Sequence, residues 1–137
     1  MRTDPAHPLA GRRVLVGISG SIAAVKLPQV VSSLVQCGAE VRCLVTPSAA
    51  QLVSPVALAS LSRNPCNLDA DQWSHRAARP LHVELAEWAE LVLVAPLSAT
   101  SLGRWVHGLA DSLLASTLLA TEAPVLAAAA MNTSMWT

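Results

Sequence analysis

The chain has 137 residues and no net formal charge, and 53% of its residues are hydrophobic. This length suits one domain with a real core, and the charge balance argues against a surface that binds nucleic acid or anionic lipid. The apolar runs are too short to cross a bilayer, and the N-terminal residues lack the apolar region of a secretory signal. Cys37, Cys43 and Cys66 fit no metal-ligand spacing. We therefore expect a protein of the reducing cytoplasm that holds no metal.

Apolar runs alternate with amphipathic segments along the chain and predict a βα repeat. Residues 1–11 are expected to form a flexible lead, followed by one domain over residues 12–137. The predicted strands are residues 14–18, 41–45, 91–95 and 124–128. The predicted helices are residues 22–36, 46–61, 83–89, 98–107 and 111–121, with a long loop at 63–80. This order implies a Rossmann-like or flavodoxin-like α/β fold, with a parallel sheet and helices on both faces.

Small and hydroxyl-bearing residues follow three of the predicted strands. In chain order they are Ser19, Gly20 and Ser21, then Thr46 and Ser48, then Ser98, Ala99, Thr100 and Ser101. The carboxyl ends of parallel strands meet at one edge of the sheet, where backbone N–H groups and the helix dipole favour an anion. Taken singly, the first two turns also fit plain helix capping, by Ser21 and by Ser48. Together, the three turns indicate a phosphorylated cofactor lying across the strand ends.

Three ionisable side chains near these turns have two interpretations each. His82 precedes a predicted helix and is either a base that orients a carboxylate or a surface histidine. Asp111 either caps the next helix or bonds a ligand. Arg104 either reaches a phosphate or lies on a solvated helix face.

Trp88 and Trp105 could stack on a planar cofactor, but their helical spacing favours packing in the core or at an interface.

The segment at residues 130–136 follows the fourth predicted strand and reads Ala-Met-Asn-Thr-Ser-Met-Trp. Asn132 at such a position can hold a planar polar group through both a donor and an acceptor. Met131, Met135 and Trp136 supply soft apolar surface beside it. These residues predict a ligand site at the carboxyl end of that strand.

Five segments in register resemble the flavin-containing cysteine decarboxylases. They are residues 17–24 (GISGSIAA), 82–85 (HVEL), 95–100 (APLSAT), 108–111 (GLAD) and 130–136 (AMNTSMW). The family includes phosphopantothenoylcysteine decarboxylase of coenzyme A synthesis, which the chain resembles most, and the enzymes that decarboxylate the C-terminal cysteine of lantibiotic precursors. The resemblance covers nearly all of residues 12–136.

The resemblance implies a subunit that binds FMN and assembles as a homotrimer or a multiple of trimers, with FMN between subunits. The FMN phosphate would meet Gly20 and Ser21, with Ser48 and residues 98–101 nearby. His82 matches the family's active-site histidine. Asn132 matches the asparagine that holds the substrate carboxylate, beside Met131.

The implied reaction is oxidation of a cysteinyl thiol by FMN, loss of carbon dioxide and formation of an enethiol. In the phosphopantothenoyl branch, reduced FMN then returns the electrons and gives 4'-phosphopantetheine. The resemblance thus implies a flavin-dependent carboxy-lyase for 4'-phosphopantothenoylcysteine, a small phosphorylated thiol acid. Two alternatives stay open, a non-catalytic FMN-binding oligomeric or regulatory protein and a peptidyl-cysteine decarboxylase.

Three features depart from the family pattern. Ala129 stands where a proline usually precedes the Met-Asn segment, and Thr100 stands where many members have Asn or Asp. The family also continues past the Met-Trp pair with a flap that covers the substrate, and in the phosphopantothenoyl branch this flap carries a proton-donating cysteine. Cys37, Cys43 and Cys66 lie in the wrong places to replace it. We expect a piece of a longer enzyme without its flap, although a natural short protein or a flap from another polypeptide are alternatives.

Overall fold

A computed structural model describes residues 5–136, which form a parallel five-stranded sheet with helices on both faces. The strands are β1 (Arg13–Ile18), β2 (Glu40–Val45), β3 (Asn67–Leu68), β4 (Leu91–Leu97) and β5 (Val125–Ala129). The α-helices are α1 (Leu27–Gln36), α2 (Pro55–Ser62), α3 (Leu81–Trp88), α4 (Ala99–Val106) and α5 (Leu113–Ala120). Short 3-10 turns cover Ile22–Lys26, Ala49–Gln51, Asp69–Trp73 and Thr133–Trp136. The predicted α/β fold is confirmed.

The order of strands across the sheet is β3-β2-β1-β4-β5, and every neighbouring pair is parallel. The chain moves outward from β1 to β2 and β3, and then crosses to the other side of β1 for β4 and β5. The order therefore reverses between β1 and β4. Ligands of open α/β sheets bind outside the carboxyl ends of the strands at such a switch point. The ends of β1 and β4, at Ile18 and Leu97, are thus the expected location of a ligand site.

Two cores lie on the two faces of the sheet. Neighbouring residues of one strand serve opposite faces, as the two-residue period of a strand requires. In β1, Val16 packs toward α1 and α2, whereas Leu15 packs toward α3 and α5. In β2, Cys43 and Leu44 divide in the same way. Burial on both faces explains why these strands read as continuous apolar runs rather than as alternating ones.

The helix predicted over residues 46–61 is wrong in outline, because the structure breaks it in two. The 3-10 turn Ala49–Gln51 ends, and α2 begins afresh at Pro55. Ser54 caps α2 by accepting the Ala57 N–H at 3.2 Å. Proline has no N–H, and its ring disfavours helical backbone in the residue before it, so Pro55 starts a helix instead of continuing one.

The loop predicted over residues 63–80 contains regular structure. Asn67 and Leu68 form the edge strand β3 beside Leu44 and Val45 of β2, and the 3-10 turn Asp69–Trp73 follows. The Asn67 side-chain amide also donates to the carbonyl of Cys43 at 2.9 Å. A two-residue strand is too short to show a period in the sequence, which is why the prediction missed it.

Residues 5–11, which belong to the predicted flexible lead, run beside the end of α1. The Leu9 N–H donates to Cys37 O at 2.9 Å, and the Gly11 N–H donates to Gly38 O at 3.2 Å. Leu9 also packs against the core on the α1 face. Residues 1–4 lie outside the described residues, and the flexibility of the lead stays a prediction.

Within residues 5–136, no helix has both the length and the apolar character needed to span a membrane. In the same part of the chain, no group of three His, Cys, Asp or Glu side chains is arranged to hold a metal ion. The three cysteines are free thiols, and Cys43 is buried.

Candidate functional site

The three polar turns meet at a hollow of about 380 Å³ outside the ends of β1, β2 and β4. We call it the polar hollow. The turns contribute Gly20, Thr46, Pro47, Ser48, Ser98, Ala99, Thr100 and Ser101 to its lining. The remaining lining residues are Asp69, Arg104, Asp111, Ser112 and Met135. The structure thus brings the three predicted turns together at the switch point of the sheet.

Ser19 joins the first turn to the third. Its side chain is fully buried, and its hydroxyl donates to Pro96 O at 2.6 Å and accepts the Ser98 N–H at 2.7 Å. A buried hydroxyl with both partners satisfied fixes the groups that it bonds. The sequence offered Ser19 as a donor to a ligand, and the structure corrects this. Ser19 positions the turns, and its hydroxyl proton is already donated to Pro96 O.

Gly20 lies where the first turn approaches the second. A β-carbon built on Gly20 would lie 2.4 Å from Ser48 Cβ, which is closer than real β-carbons come to other atoms. The Thr46 N–H donates to Ile18 O at 3.0 Å and holds the same two turns together. Gly20 is therefore required by the close approach of Ser48.

Ser21 and Ser48 do not cap helices with their side chains, so the capping interpretation is wrong for both. Each precedes a 3-10 turn without a hydrogen bond from its hydroxyl to the first backbone N–H groups. At the second turn, Thr46 Oγ1 accepts the Ala49 N–H at 3.3 Å instead. The hydroxyls of Ser21 and Ser48 are consequently free of the capping role that would have occupied them.

The third turn opens α4. Ser98 is the N-cap, and its Oγ accepts the Ser101 N–H at 3.3 Å. Ala99 and Thr100 occupy the first turn of α4, where backbone N–H groups have no helical carbonyl to bond. Both residues line the polar hollow. The polar hollow thus has backbone donors and the positive end of a helix dipole, which together favour an anion.

Arg104 and Asp111 form an ion pair at the polar hollow. The Arg104 guanidinium donates to the Asp111 carboxylate, and this hydrogen bond holds the pKa of Asp111 below its usual value. The N-cap of α5 is Ser112, whose Oγ accepts the Ala115 N–H at 3.1 Å. Capping by Asp111 is therefore a wrong prediction.

Asp69 lines the polar hollow but was missed by the sequence analysis, because it fell in the predicted loop. Its Oδ1 accepts the Leu113 N–H at 3.2 Å, at the start of α5. The available signal was weak, since Asp69 is a single polar residue after the two-residue strand β3. It nevertheless follows the pattern of the other turns, a polar residue at the carboxyl end of a parallel strand.

A second hollow, of about 470 Å³, lies beside the first and contains the segment after β5. We call it the apolar hollow. Its lining residues are Gly20, Ser21, Ile22, Ala23, Ser98, Ala99, Ala130, Met131, Asn132 and Met135. Gly20, Ser98, Ala99 and Met135 line both hollows. One elongated ligand with a polar end and an apolar end can therefore occupy the two together.

Asn132 is held in a turn that uses half of its amide. Its Oδ1 accepts the Ser134 N–H at 3.3 Å and the Ser134 hydroxyl at 3.4 Å. Its Nδ2 makes no hydrogen bond to any residue in the described range 5–136. The Trp136 Nε1 donates to Met131 O at 3.1 Å and closes the same segment. The sequence predicted that Asn132 offers a ligand both a donor and an acceptor. In the structure only its Nδ2 donor is available, and a donor suits a carboxylate.

His82 lines neither hollow. It lies inside α3, near its start and not before it as predicted, and Gln72 Nε2 lies 3.4 Å from its Nδ1. The structure of a single chain therefore does not bring His82 together with Asn132. Its catalytic role stays a prediction.

Trp88 and Trp105 pack, partly buried, against the core on the α3 and α5 face. The prediction that they are packing residues is confirmed. The Arg42 guanidinium lies 5.1 Å from the centre of the Trp88 ring, a cation–π distance.

Comparison with known proteins points to one family. The Flavoprotein family model matches residues 2–137. The chain is 41% identical over 128 residues to the coenzyme A biosynthesis bifunctional protein CoaBC of Bacillus subtilis, covering 93% of this chain and 31% of that protein. It is 40% identical over 130 residues to CoaBC of Vibrio cholerae, covering 93% of this chain and 32% of that protein. The chain therefore spans about a third of the length of these relatives.

Solved structures share the fold. The FMN-dependent cysteine decarboxylase SpaF has a TM-score of 0.86 at 34% identity, covering 94% of this chain and 74% of SpaF. The FMN binding protein AtHal3 has a TM-score of 0.80 at 36% identity, covering 91% and 69%. A PPC decarboxylase mutant complexed with pantothenoylaminoethenethiol has a TM-score of 0.79 at 36% identity, covering 92% of this chain and 70% of the mutant chain. The resemblance found in the sequence is confirmed, and the chain belongs to the Flavoprotein family.

Proposed function

We propose that this chain binds FMN across the polar and apolar hollows and supports decarboxylation of a cysteinyl carboxylate, with 4'-phosphopantothenoylcysteine as the substrate. The observation that carries the proposal is the meeting of three hydroxyl-bearing turns at the switch point of the sheet. The names of its relatives support the reaction class, since they include a protein of coenzyme A biosynthesis and FMN-dependent cysteine decarboxylases.

The residues of the polar hollow fit the phosphate of FMN. The hydroxyl of Ser48 is not used as a cap, and the first N–H groups of α4 belong to Ala99 and Thr100. The hydroxyl of Ser21 is not used as a cap either, but Ser21 lines the adjoining apolar hollow. Ser101 adds a further hydroxyl to the lining of the polar hollow. These hydroxyls and backbone N–H groups can surround a phosphate with hydrogen-bond donors. The start of α4 adds the partial positive charge of a helix end.

The apolar hollow suits the ring system of a flavin. Met131, Met135 and Ile22 contribute apolar side chains to its lining, and thioethers adapt to flat aromatic surfaces. Asn132 lies in the same hollow, so a carboxylate bonded to its Nδ2 would be close to the ring. The arrangement suits a reaction in which the substrate carboxylate and the cofactor ring are held side by side.

The ligand of the related PPC decarboxylase shows why such a reaction needs a flavin. An ethenethiol has one carbon dioxide and two hydrogens fewer than the cysteinyl group from which it would derive. Decarboxylation alone would give the saturated thiol, so two electrons and two protons must pass to an acceptor. FMN, when bound, supplies the acceptor for those electrons.

Asn132 would orient the substrate carboxylate without neutralising it. A cation at this position would stabilise the ground-state carboxylate and thereby oppose loss of carbon dioxide. A neutral amide donor fixes the geometry at a smaller cost in ground-state stabilisation. The fixed Oδ1 of Asn132 keeps its Nδ2 in one orientation.

His82 requires a second copy of the chain if it acts in these hollows, because it lines neither of them in its own chain. We therefore place the FMN between subunits of a trimer or of a multiple of trimers. Ile22 and Val25 are 74% and 54% exposed near the apolar hollow, and they offer apolar area for that contact. Mass photometry of the FMN-loaded protein tests the assembly.

A non-catalytic FMN-binding oligomeric or regulatory protein is the second candidate. The position of His82 outside both hollows favours it, and the similar AtHal3 is named for FMN binding alone. A peptidyl-cysteine decarboxylase is the third candidate, favoured by the likeness to SpaF.

One assay separates the three. FMN-loaded protein is incubated with 4'-phosphopantothenoylcysteine or with a peptide ending in cysteine, and carbon dioxide and product masses are measured. The leading proposal predicts carbon dioxide from the first substrate, and its loss in His82→Asn with FMN retained. Release from the peptide alone would assign the third candidate, and bound FMN without release from either would assign the second. Because no cysteine among residues 5–136 lines either hollow, the expected main product is the enethiol, with little 4'-phosphopantetheine.

A further inference from the structure

The ion pair of Arg104 and Asp111 has a feature that simple surface pairs lack, since both partners line the polar hollow. We propose that Arg104 selects ligands that carry a phosphate monoester, by exchanging the carboxylate of Asp111 for the phosphate. The inference rests on the proposed function, which supplies a phosphorylated ligand to this hollow. It adds a residue that determines specificity.

The chain reverses direction at the end of α4, and this reversal places Asp111 next to Arg104. Gly108 has φ +67, the Leu109 N–H donates to Arg104 O at 2.9 Å, and the Gly108 N–H donates to Trp105 O at 3.2 Å. This pair of bonds is the Schellman motif, which ends a helix and reverses the chain. Arg104 in the last turn of α4 and Asp111 after the reversal thereby face the same hollow.

The charges on the lining make Arg104 important for an anion. One cation, Arg104, opposes two carboxylates, Asp69 and Asp111, so the formal side-chain charge of the lining is −1. The Asp69 carboxylate is engaged by the Leu113 N–H. Hydroxyls bond a neutral alcohol as well as a phosphate, and the first N–H groups of α4 add only the partial positive charge of a helix end. Arg104, the one cationic side chain among the described lining residues, supplies a full positive charge and therefore the larger part of the discrimination in favour of the charged group.

The pair is also free to exchange. The side chains of Arg104 and Asp111 are 38% and 59% exposed. Ion pairs this exposed contribute little net stability, so breaking one costs little. A guanidinium can pair with phosphate, as with carboxylate, through two parallel N–H···O bonds, and a phosphate monoester carries about −1.5 to −2 charges where the Asp111 carboxylate carries one. Replacement of Asp111 by an incoming phosphate is therefore favourable.

The test compares dissociation constants for FMN and riboflavin, measured by quenching of flavin fluorescence. The wild-type chain is expected to prefer FMN. Arg104→Gln should weaken FMN binding by about tenfold to a hundredfold, the range for a lost bond to a charged group, while riboflavin binding changes by less than about twofold. Arg104→Lys should keep part of the preference, and Asp111→Asn should strengthen it because a competing carboxylate is removed.

Arg79→Gln is the matched control, because Arg79 forms an exposed pair with Glu87 at 2.6 Å and lines neither hollow. It should change neither constant. The double variant Arg104→Gln with Asp111→Asn keeps the net charge of the lining. It should still lose the preference for FMN, which separates a lost contact from a changed total charge.

The phosphate can come from the flavin or from the substrate, and a second arm distinguishes them. FMN-loaded protein is titrated with 4'-phosphopantothenoylcysteine and with pantothenoylcysteine. Loss of preference in the flavin arm assigns Arg104 to the cofactor, and loss in the substrate arm assigns it to the substrate. If Arg104→Gln keeps both preferences while FMN still binds, the inference is overturned and the proposed function stands. If the wild-type chain binds neither flavin nor either thiol acid, both are overturned.

Discussion

Gly20 and Ser48 approach so closely that a β-carbon on Gly20 would lie 2.4 Å from the Cβ of Ser48. The contact joins the turn after β1 to the turn after β2, and both turns line the polar hollow. The shape of the site therefore depends on backbone proximity as well as on side-chain chemistry. It follows that a single methyl group should disturb the site without removing any polar partner.

We expect Gly20→Ala to weaken FMN binding at least about tenfold, because Ser48 and its turn must move to admit the methyl group. The measurement is a flavin fluorescence titration. Gly103→Ala is the control, since Gly103 is inside α4 and, apart from its chain neighbours and the backbone of that helix, no atom of residues 5–136 lies within 4 Å of the added carbon. It should bind FMN normally and gain about 1 kcal/mol in stability from helix propensity. Normal FMN binding by Gly20→Ala would contradict this account of the two turns.

Ser19→Ala should lower the free energy of unfolding by about 1–3 kcal/mol, because Pro96 O loses a donor and the Ser98 N–H loses an acceptor inside the protein. Urea unfolding followed by circular dichroism measures the change. Ser33→Ala, at an exposed position in α1, should stay within about 0.5 kcal/mol of wild type. Equal stability of the two variants would show that the Ser19 bonds do not hold the turns.

Asn132→Asp tests the free amide donor with minimal change of shape. The carboxylate can still accept the Ser134 N–H, but it replaces the Nδ2 donor with a negative charge. We expect FMN binding to be unchanged and kcat/KM for the carboxylate substrate to fall by more than about a hundredfold, since a charged hydrogen bond is lost and repulsion is added. Retained turnover would place the substrate carboxylate elsewhere.

The buried thiol of Cys43 and the half-buried thiol of Cys66 predict a loss of stability at alkaline pH. Burial, together with the charge of Cys66, raises the pKa of Cys43 to about 12, against a weaker opposing hydrogen bond from Ser62. Burial, together with Asp71, raises the pKa of Cys66 to about 11. Unfolded thiols ionise near a pKa of about 8.5, so above that pH the unfolded state loses protons first and gains stability relative to the fold.

This contribution is complete below about pH 8.5 and is lost as pH rises through the folded-state values. The urea midpoint should therefore fall between about pH 8.5 and 11. The fall should be smaller in the double variant Cys43→Ala with Cys66→Ala, compared at each pH with its own neutral value. Cys37→Ser should behave like wild type, because Cys37 lies at the end of α1, apart from Cys43 and Cys66. An identical alkaline fall in the double variant would rule the two thiols out as its cause.

Most of the fold was predictable because strands buried on both faces leave continuous apolar runs, as β1, β2 and β4 do. The edge of the sheet that carries the candidate site followed from the polar turns after the predicted strands, because the carboxyl ends of parallel strands lie at one edge. The two errors of outline have local causes. Pro55 restarts a helix inside a segment of otherwise helical composition, and β3 has only two residues.

The meeting of the three turns at one edge of the sheet was predictable from the sequence, whereas their hydrogen bonds were not. Ser19, Ser21 and Ser48 look alike in the sequence, yet only Ser19 is buried with both hydrogen bonds made. That difference depends on Pro96, which is 77 residues away along the chain. The contributions of Asp69 and of the Arg104–Asp111 pair to the polar hollow likewise depend on tertiary contacts, and no local sequence pattern indicates them.

The most direct test of the central claim is the visible absorption spectrum of the purified chain, with mass identification of any cofactor released on denaturation. The account predicts a flavin spectrum and a released mass equal to that of FMN, in the wild-type chain and in Gly103→Ala but much reduced in Gly20→Ala. A colourless protein that also takes up no added FMN would contradict the claim that these turns form a flavin site.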